Sequence, residues 1–329
     1  MKPSKLLAAL VLACVTATAW AQPVKLRINY SIVPPHLVPV LFMKKDLIKH
    51  EGKSYTTDFI YTGGSSLVLQ AMAADEMDLG VYTMNAFSAA VQNAKMPLMM
   101  IADLVTDGPW FTAVYGVKAD SNIRSIKDLK GKSIAINAFG GGHDAAVRAM
   151  LIKNGLVPMR DVNIVEARFP AQAAMLREGK VDAATFVAPS WYANKGKGDI
   201  RPLFTMKDAL GDSAFLFWAA KKDLLEKRRA VLVDFFEDYI RAQRWFMDPK
   251  NRPEALELIA KFAKQPVKNV EYELQEGTTY YREKDLRLNQ ATLQRTADEL
   301  TALGMMKQLD VKPYIDESII LEAAKRLDR

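Results

Sequence analysis

Apolar and polar positions change period several times along the chain, and each change marks an element. Residues 25–30 (Lys-Leu-Arg-Ile-Asn-Tyr) alternate, as a strand with one buried face does. Pro34 and Pro35 keep the next stretch, residues 31–36, out of a helix. Helical spacing resumes over 37–48 and stops near Gly52; a second strand is expected over 56–61. Thr62-Gly63-Gly64-Ser65-Ser66 then leads into a helix over 67–74 and a strand over 79–83. The succession returns downstream: strand 132–137, glycine loop 139–142, helix 144–154 closed by Gly155, strand 162–168, helix 171–177, strand 183–187. Such alternation predicts βαβ units and a largely parallel sheet.

The two successions echo each other in detail. Ala71-Met72 precedes Asp78 after a short turn, and Ala174-Met175 precedes Asp182 in the same way. Two copies cannot form a stable solenoid, so two lobes of like design are expected. The apolar stretches 111–117 and 215–220 flank the second copy and are read as strands that carry the chain between lobes. From Asp223 onward the pattern is almost wholly helical, including an amphipathic run over 229–246 and a turn at Asp248-Pro249-Lys250.

The first 21 residues break the pattern. Lys2 and Lys5, an apolar run over 6–15 and Ala19-Trp20-Ala21 read as a secretory signal peptide with its cleavage site. The run is shorter than the about 20 residues a membrane span needs. Lipid attachment at Cys14 is the alternative, disfavoured by Leu12 two positions before it. Cys14 is the only cysteine, so the mature chain holds no disulfide and stands on its core. The net charge of +7 loses two lysines and no acids with the signal, leaving +5 spread along the chain. No concentrated basic footprint for nucleic acid is present; a modest positive field suits an anionic ligand.

Two loops stand out chemically. Phe139-Gly140-Gly141-Gly142-His143 lies between strand and helix, and Gly63-Gly64-Ser65-Ser66 makes the same arrangement earlier. Glycine lets backbone approach a ligand closely, and a helix N-terminus offers free N–H groups with partial positive charge. The pair suits a carboxylate, sulfonate or phosphate. The glycine spacings match no nucleotide-binding motif. The three histidines, His36, His50 and His143, show no metal spacing, so neither a metal nor a cofactor is expected. His143 and Asp144 are neighbours on a helix and point apart, and no nucleophile elbow occurs, so no enzyme is expected. Trp110, Phe139, Trp191 and Tyr192 are expected to converge around the site, whereas Trp218, Trp245 and Phe246 read as core.

Three stretches together resemble the solute-binding proteins of bacterial ABC importers, more narrowly the nitrate/sulfonate/taurine and NMT1-like (thiamine-precursor) family. They are Gly63-Gly64-Ser65 with Leu69-Gln70-Ala71-Met72 and Asp78-Leu79-Gly80-Val81; Ser125-Ile126-Lys127-Asp128-Leu129-Lys130-Gly131-Lys132 with the loop 140–143; and Glu178-Gly179-Lys180-Val181-Asp182 with Pro189-Ser190-Trp191. Asp46 and Asp75 stand where the family often has glycine. Its enzymes carry a cysteine-rich segment that this chain lacks. The resemblance implies an α/β, two-lobed periplasmic-binding-protein type II fold, with two mixed, mostly parallel sheets, helices on both faces and a helical C-terminal region. Expected boundaries are 1–21 for the signal, 22–115 for lobe one, 116–215 for lobe two and 216–329 for the completion of lobe one. The function implied is capture of a small organic anion in the periplasm by hinge closure and delivery to an inner-membrane ABC permease, by a monomer. Alternatives are a sensor reporting to a membrane receptor, or a binder of a thiamine-precursor pyrimidine using Asp107 or Asp144. Ser31, His36, Gly64, Ser65 and Asn85 are the candidate ligand contacts of lobe one. Phe139, Gly141, Gly142, His143 and Trp191 are those of lobe two.

Overall fold

Two five-stranded layers of one design carry the chain. A computed structural model describes residues 22–33, 35–274 and 279–329; the expected signal segment, residues 1–21, lies outside them. The strands are β1 (Val24–Tyr30), β2 (Tyr55–Tyr61), β3 (Gly80–Tyr82), β4 (Leu98–Asp107), β5 (Val114–Lys118), β6 (Ser133–Ile136), β7 (Asn163–Glu166), β8 (Ala183–Phe186), β9 (Ile200–Thr205) and β10 (Ser213–Lys221). The α-helices are α1 (Val38–Leu41), α2 (Ser65–Ala73), α3 (Met84–Ser88), α4 (Gly142–Lys153), α5 (Phe169–Arg177), α6 (Ala188–Asn194), α7 (Met206–Leu210), α8 (Lys222–Lys227), α9 (Arg229–Met247), α10 (Arg252–Ala263), α11 (Gln290–Ala302) and α12 (Ser318–Leu327).

In the first layer β1 pairs in parallel with β2 and meets β3 through an Ile28–Leu79 bridge. Antiparallel β10 lies between β3 and β4, giving the order β2-β1-β3-β10-β4. The second layer has the order β7-β6-β8-β5-β9, with β5 antiparallel between β8 and β9. In each layer the opposing strand is the one entered from a crossing: residues 108–113 lead into β5, and residues 206–212 into β10. This is the two-lobed, mixed α/β periplasmic-binding-protein architecture.

The sequence echo has a physical cause. Asp78 accepts the backbone N–H of Arg27 at 2.8 Å, locking the start of β3 to β1. Asp182 accepts the backbone N–H of Ser133 at 2.9 Å, locking β8 to β6 in the same manner. A carboxylate taking an N–H that the ladder leaves unpaired fixes register at the same corner of both layers.

Some elements differ from the sequence pattern. The helix expected over 37–48 ends at Leu41. Beyond it the backbone turns to meet Asp238 of α9, whose carboxylate accepts the N–H groups of Lys49 and His50 at 2.9 Å each and the hydroxyl of Tyr55 at 2.6 Å. Strand β4 was not legible, because burial on both faces removes the alternation that marks a strand. The C-terminal region is less helical than its pattern. Among the described residues, 279–289 are irregular because they dock along β4, with Thr106 N–H to Tyr281 O at 2.9 Å and Asp103 N–H to Leu286 O at 2.8 Å. Asp75 adopts φ 55°, the left-handed conformation that glycine takes most easily. Helix α9 conforms to its amphipathic pattern and buries Phe235, Phe236 and Tyr239, with Phe235 packed on Phe42 and Tyr55.

Candidate ligand site

The parallel strands of both layers end at one cleft, where open α/β sheets bind ligands. After β1 the chain forms the loop of Ser31 and His36; after β2 it passes Thr62 and Gly64 into α2; after β3 it reaches Thr83. From the other lobe, Asn137 follows β6, Gly141 and Gly142 open α4, and Val187 follows β8. These groups, with Phe169, Phe215, Leu216 and Tyr280, line a cavity of about 50 Å³. Helices α2 and α4 both start at its wall, capped by Gly64 and Gly141 without a side-chain hydrogen bond. Their first N–H groups have no partner within the helix, and both dipoles present their positive ends to the cavity.

The lobes touch across this cavity. Asn137 Nδ2 donates to Gly63 O at 2.7 Å, and Asn85 Nδ2 donates in return to Gly140 O at 2.7 Å and Gly141 O at 3.2 Å. Backbone approach is close enough to exclude a side chain. A Cβ on Gly64 would lie 2.9 Å from that of Ala138, and one on Gly142 would lie 2.7 Å from the Phe215 ring and 2.8 Å from the Thr83 methyl. Both glycines are therefore required by the opposite lobe, since Gly64 is extended at φ 176° and neither lies in the left-handed region.

Among the described residues no lysine, arginine, aspartate or glutamate lines the cavity. His36 and His143 are each 4% exposed, and burial pushes both imidazoles down to about 3, aided at His36 by the positive charge of Arg282. Arg282 sits behind the His36 loop and donates to Pro35 O at 3.1 Å. His36 Nδ1 accepts the N–H of Ser31 at 3.2 Å. His143 Nδ1 lies 3.1 Å from the hydroxyl of Tyr115, a phenol that burial keeps protonated. Ser65 Oγ accepts the N–H of Thr83 at 3.2 Å, leaving its own proton free to donate.

Seven of the ten candidate residues meet at this cavity: Ser31, His36, Gly64, Ser65, Gly141, Gly142 and His143. Asn85 stands beside it as an interlobe donor. Phe139 is 39% exposed on the surface of its loop, and Trp191 packs edge-on against Phe186 at 6.2 Å; neither lines the cavity. Trp110 packs on Tyr281 and Tyr192 stacks on Tyr272, so the aromatic wall is built instead from Phe169, Phe215 and Tyr280. Asp107 is fully buried beneath the first crossing and accepts Ala113 N–H at 3.0 Å. Asp144 is occupied by Gly140 N–H at 2.9 Å and Arg148 at 2.7 Å. Sequence reasoning missed Thr62, Thr83, Asn137 and Phe169, though each lies within three residues of a strand's carboxyl end. Phe215 and Tyr280 carried no local signal.

Comparison with known proteins follows this geometry. No curated protein matches the chain. The alkanesulfonate-binding protein SsuA of Xanthomonas axonopodis pv. citri, solved bound to MOPS, is similar with 22% identity and a TM-score of 0.70, over 90% of this chain and 99% of that one. The periplasmic nitrate-binding protein NrtA of Synechocystis PCC 6803 has 13% identity and a TM-score of 0.70, over 93% and 89%. The desulfurization enzyme DSZB shares the fold at 14% identity and a TM-score of 0.63, over 92% and 99%. The NMT1/THI5-like family model matches residues 57–252, more than half of the chain. The chain belongs to the NMT1/THI5-like family.

Proposed function

We propose that this protein is a periplasmic solute-binding protein that captures a small organic anion by hinge closure and delivers it to an ABC importer of the inner membrane. The observation that carries the reading is that two helix N-termini without a side-chain cap, one from each lobe, start at the wall of one cavity. An anion placed there meets N–H groups from both lobes at once, and only contacts with both lobes can drive closure. The two crossings that join the layers form the hinge. In this reading the mature protein begins near Gln22 after export and works as a monomer.

The fold leaves catalysis open, since a desulfurization enzyme shares it; the residues favour capture. Ser65 Oγ accepts the Thr83 N–H and has no imidazole partner, and the hydroxyl paired to His143 is the buried phenol of Tyr115, which burial keeps protonated. The test is a thermal-shift screen of residues 22–329, unfolded and refolded to remove carried-over ligand, against sulfonates, carboxylates, nitrate, amino acids and pyrimidines. A ligand at about 100 times its Kd adds roughly 2.7 kcal/mol, a rise of a few degrees. A response confined to cationic or neutral compounds would overturn the anion assignment. Capture of the refolded, ligand-loaded protein by its permease in vesicles, absent without ligand, is the expected sign of delivery.

A further inference from the structure

Polar groups of both lobes line the cavity, among them Asn137 Oδ1, a buried acceptor without a partner among the described residues. An imidazole that accepts at Nδ1 carries its proton at Nε2, so the Ser31 N–H fixes His36 as an Nε2–H donor. When the Tyr115 hydroxyl donates to Nδ1, 3.1 Å away, His143 takes the same tautomer. Among the described residues neither Nε2 has a hydrogen-bond partner, although each ring is more than nine-tenths buried at the cavity wall. One ring comes from each lobe. With the starts of α2 and α4 they make a set of donors of partial positive charge, facing an apolar wall. His143 itself stands edge-on to Phe169 and Phe215, with ring centroids 5.3 Å away in both cases.

We infer that the site selects a ligand with a single negative charge, a carboxylate or sulfonate, on an apolar ring-sized body, and that His36 and His143 are the side-chain donors that read that charge from opposite lobes. This rests on the solute-binding reading above. Dipoles and N–H donors can offset one buried charge. A second negative charge would enter a site with no lysine or arginine in its wall and remain unpaired. Among the described residues a cation would find no carboxylate in the wall.

Calorimetric titration of the refolded mature protein with benzoate, benzenesulfonate, phthalate, benzamide and benzylammonium tests this on one ring skeleton. Benzoate or benzenesulfonate is expected to bind, phthalate roughly 100-fold more weakly and benzylammonium not at all. His36→Leu and His143→Leu are each expected to weaken the monoanion by about 10- to 100-fold. His143→Gln, which keeps an N–H donor, should recover part of the loss, whereas a purely structural role would not distinguish Gln from Leu. Binding of benzenesulfonate, which does not titrate, should be flat between about pH 5 and 8, because His36 is held neutral by burial and Arg282 and His143 by burial against Tyr115. Equal affinity for phthalate, or tightening of benzenesulfonate toward low pH, would overturn the inference and leave the solute-binding reading standing. No response to any of the five compounds would overturn the inference; the solute-binding reading falls only if the wider thermal-shift panel is silent as well.

Discussion

Asn137, on the loop after β6, hydrogen-bonds the carbonyl of Gly63, on the loop after β2, at 2.7 Å. Asn85 makes the reciprocal contact from the first lobe to the glycine loop of the second. The loops that cap α2 and α4 are thus held together by the protein's own amides, independently of any ligand between them.

Removing these bonds should open the cleft. Each is worth about 0.5–1.5 kcal/mol, or roughly 2- to 12-fold in a closure equilibrium. Asn85→Ala and Asn137→Ala should each weaken ligand binding by that factor, and the double variant more. Small-angle scattering of the ligand-free double variant should give a larger radius of gyration than the parent. Identical scattering and affinity would assign closure to the ligand alone.

Glycine substitutions separate closure from folding. Gly64→Ala and Gly142→Ala place a methyl group where the other lobe already stands. Affinity should fall at least about tenfold, with a melting temperature close to the parent's, because neither position needs positive φ. Gly141→Ala should be mild: its Cβ would meet only Ala138 O, at 3.3 Å. A larger loss at Gly141 than at Gly142 would contradict the closed geometry.

Stability should depend on pH in two opposing ways. Buried His36 and His143, at about 3 in the folded protein, titrate near 6.5 when unfolded. The unfolded chain binds the extra protons, so their contribution is lost as pH falls from about 6.5 toward 3. Asp107 and Asp103 are raised by burial to about 7 and about 8, against about 3.9 unfolded. Their folded forms hold protons that unfolding releases, so their contribution is lost as pH rises through those values. Above about pH 6.5 only the aspartates of this set still act. The melting temperature should decline from there to about pH 8.5, and Asp107→Asn should flatten the decline. An unchanged slope in that variant would mean that Asp107 is ionised in the fold.

Asp238 is the most costly single group to lose. It is fully buried and satisfies two backbone N–H groups, the Tyr55 hydroxyl and Arg241. Asp238→Ala would strand the two N–H groups and the Tyr55 hydroxyl, while Arg241 keeps Glu237 and Leu47 O, and should destabilise the fold by about 3–5 kcal/mol in urea unfolding. A loss below about 1 kcal/mol would show that water replaces it.

The amino-acid pattern alone determined most strands of the two layers, their helices α2, α4, α5 and α9, and the duplicated design. Each rests on contacts within a few residues: alternation, helical spacing, a glycine loop, an aspartate one turn before its strand. Loop position likewise pointed to Ser31, His36, Gly64, Ser65, Gly141, Gly142 and His143, which share one cavity because they lie past the carboxyl ends of parallel strands. Tertiary structure decided what depends on partners far along the chain. Strand β4 lost its alternation by being buried on both faces, and α1 was cut short by a carboxylate nearly 190 residues away. Phe215 and Tyr280 reach the cavity through β10 and the segment docked on β4, and the aromatics expected there are used elsewhere. The charge state of the two histidines is of the same kind: burial and a partner at Nδ1 set it, and neither exists until the lobes are packed.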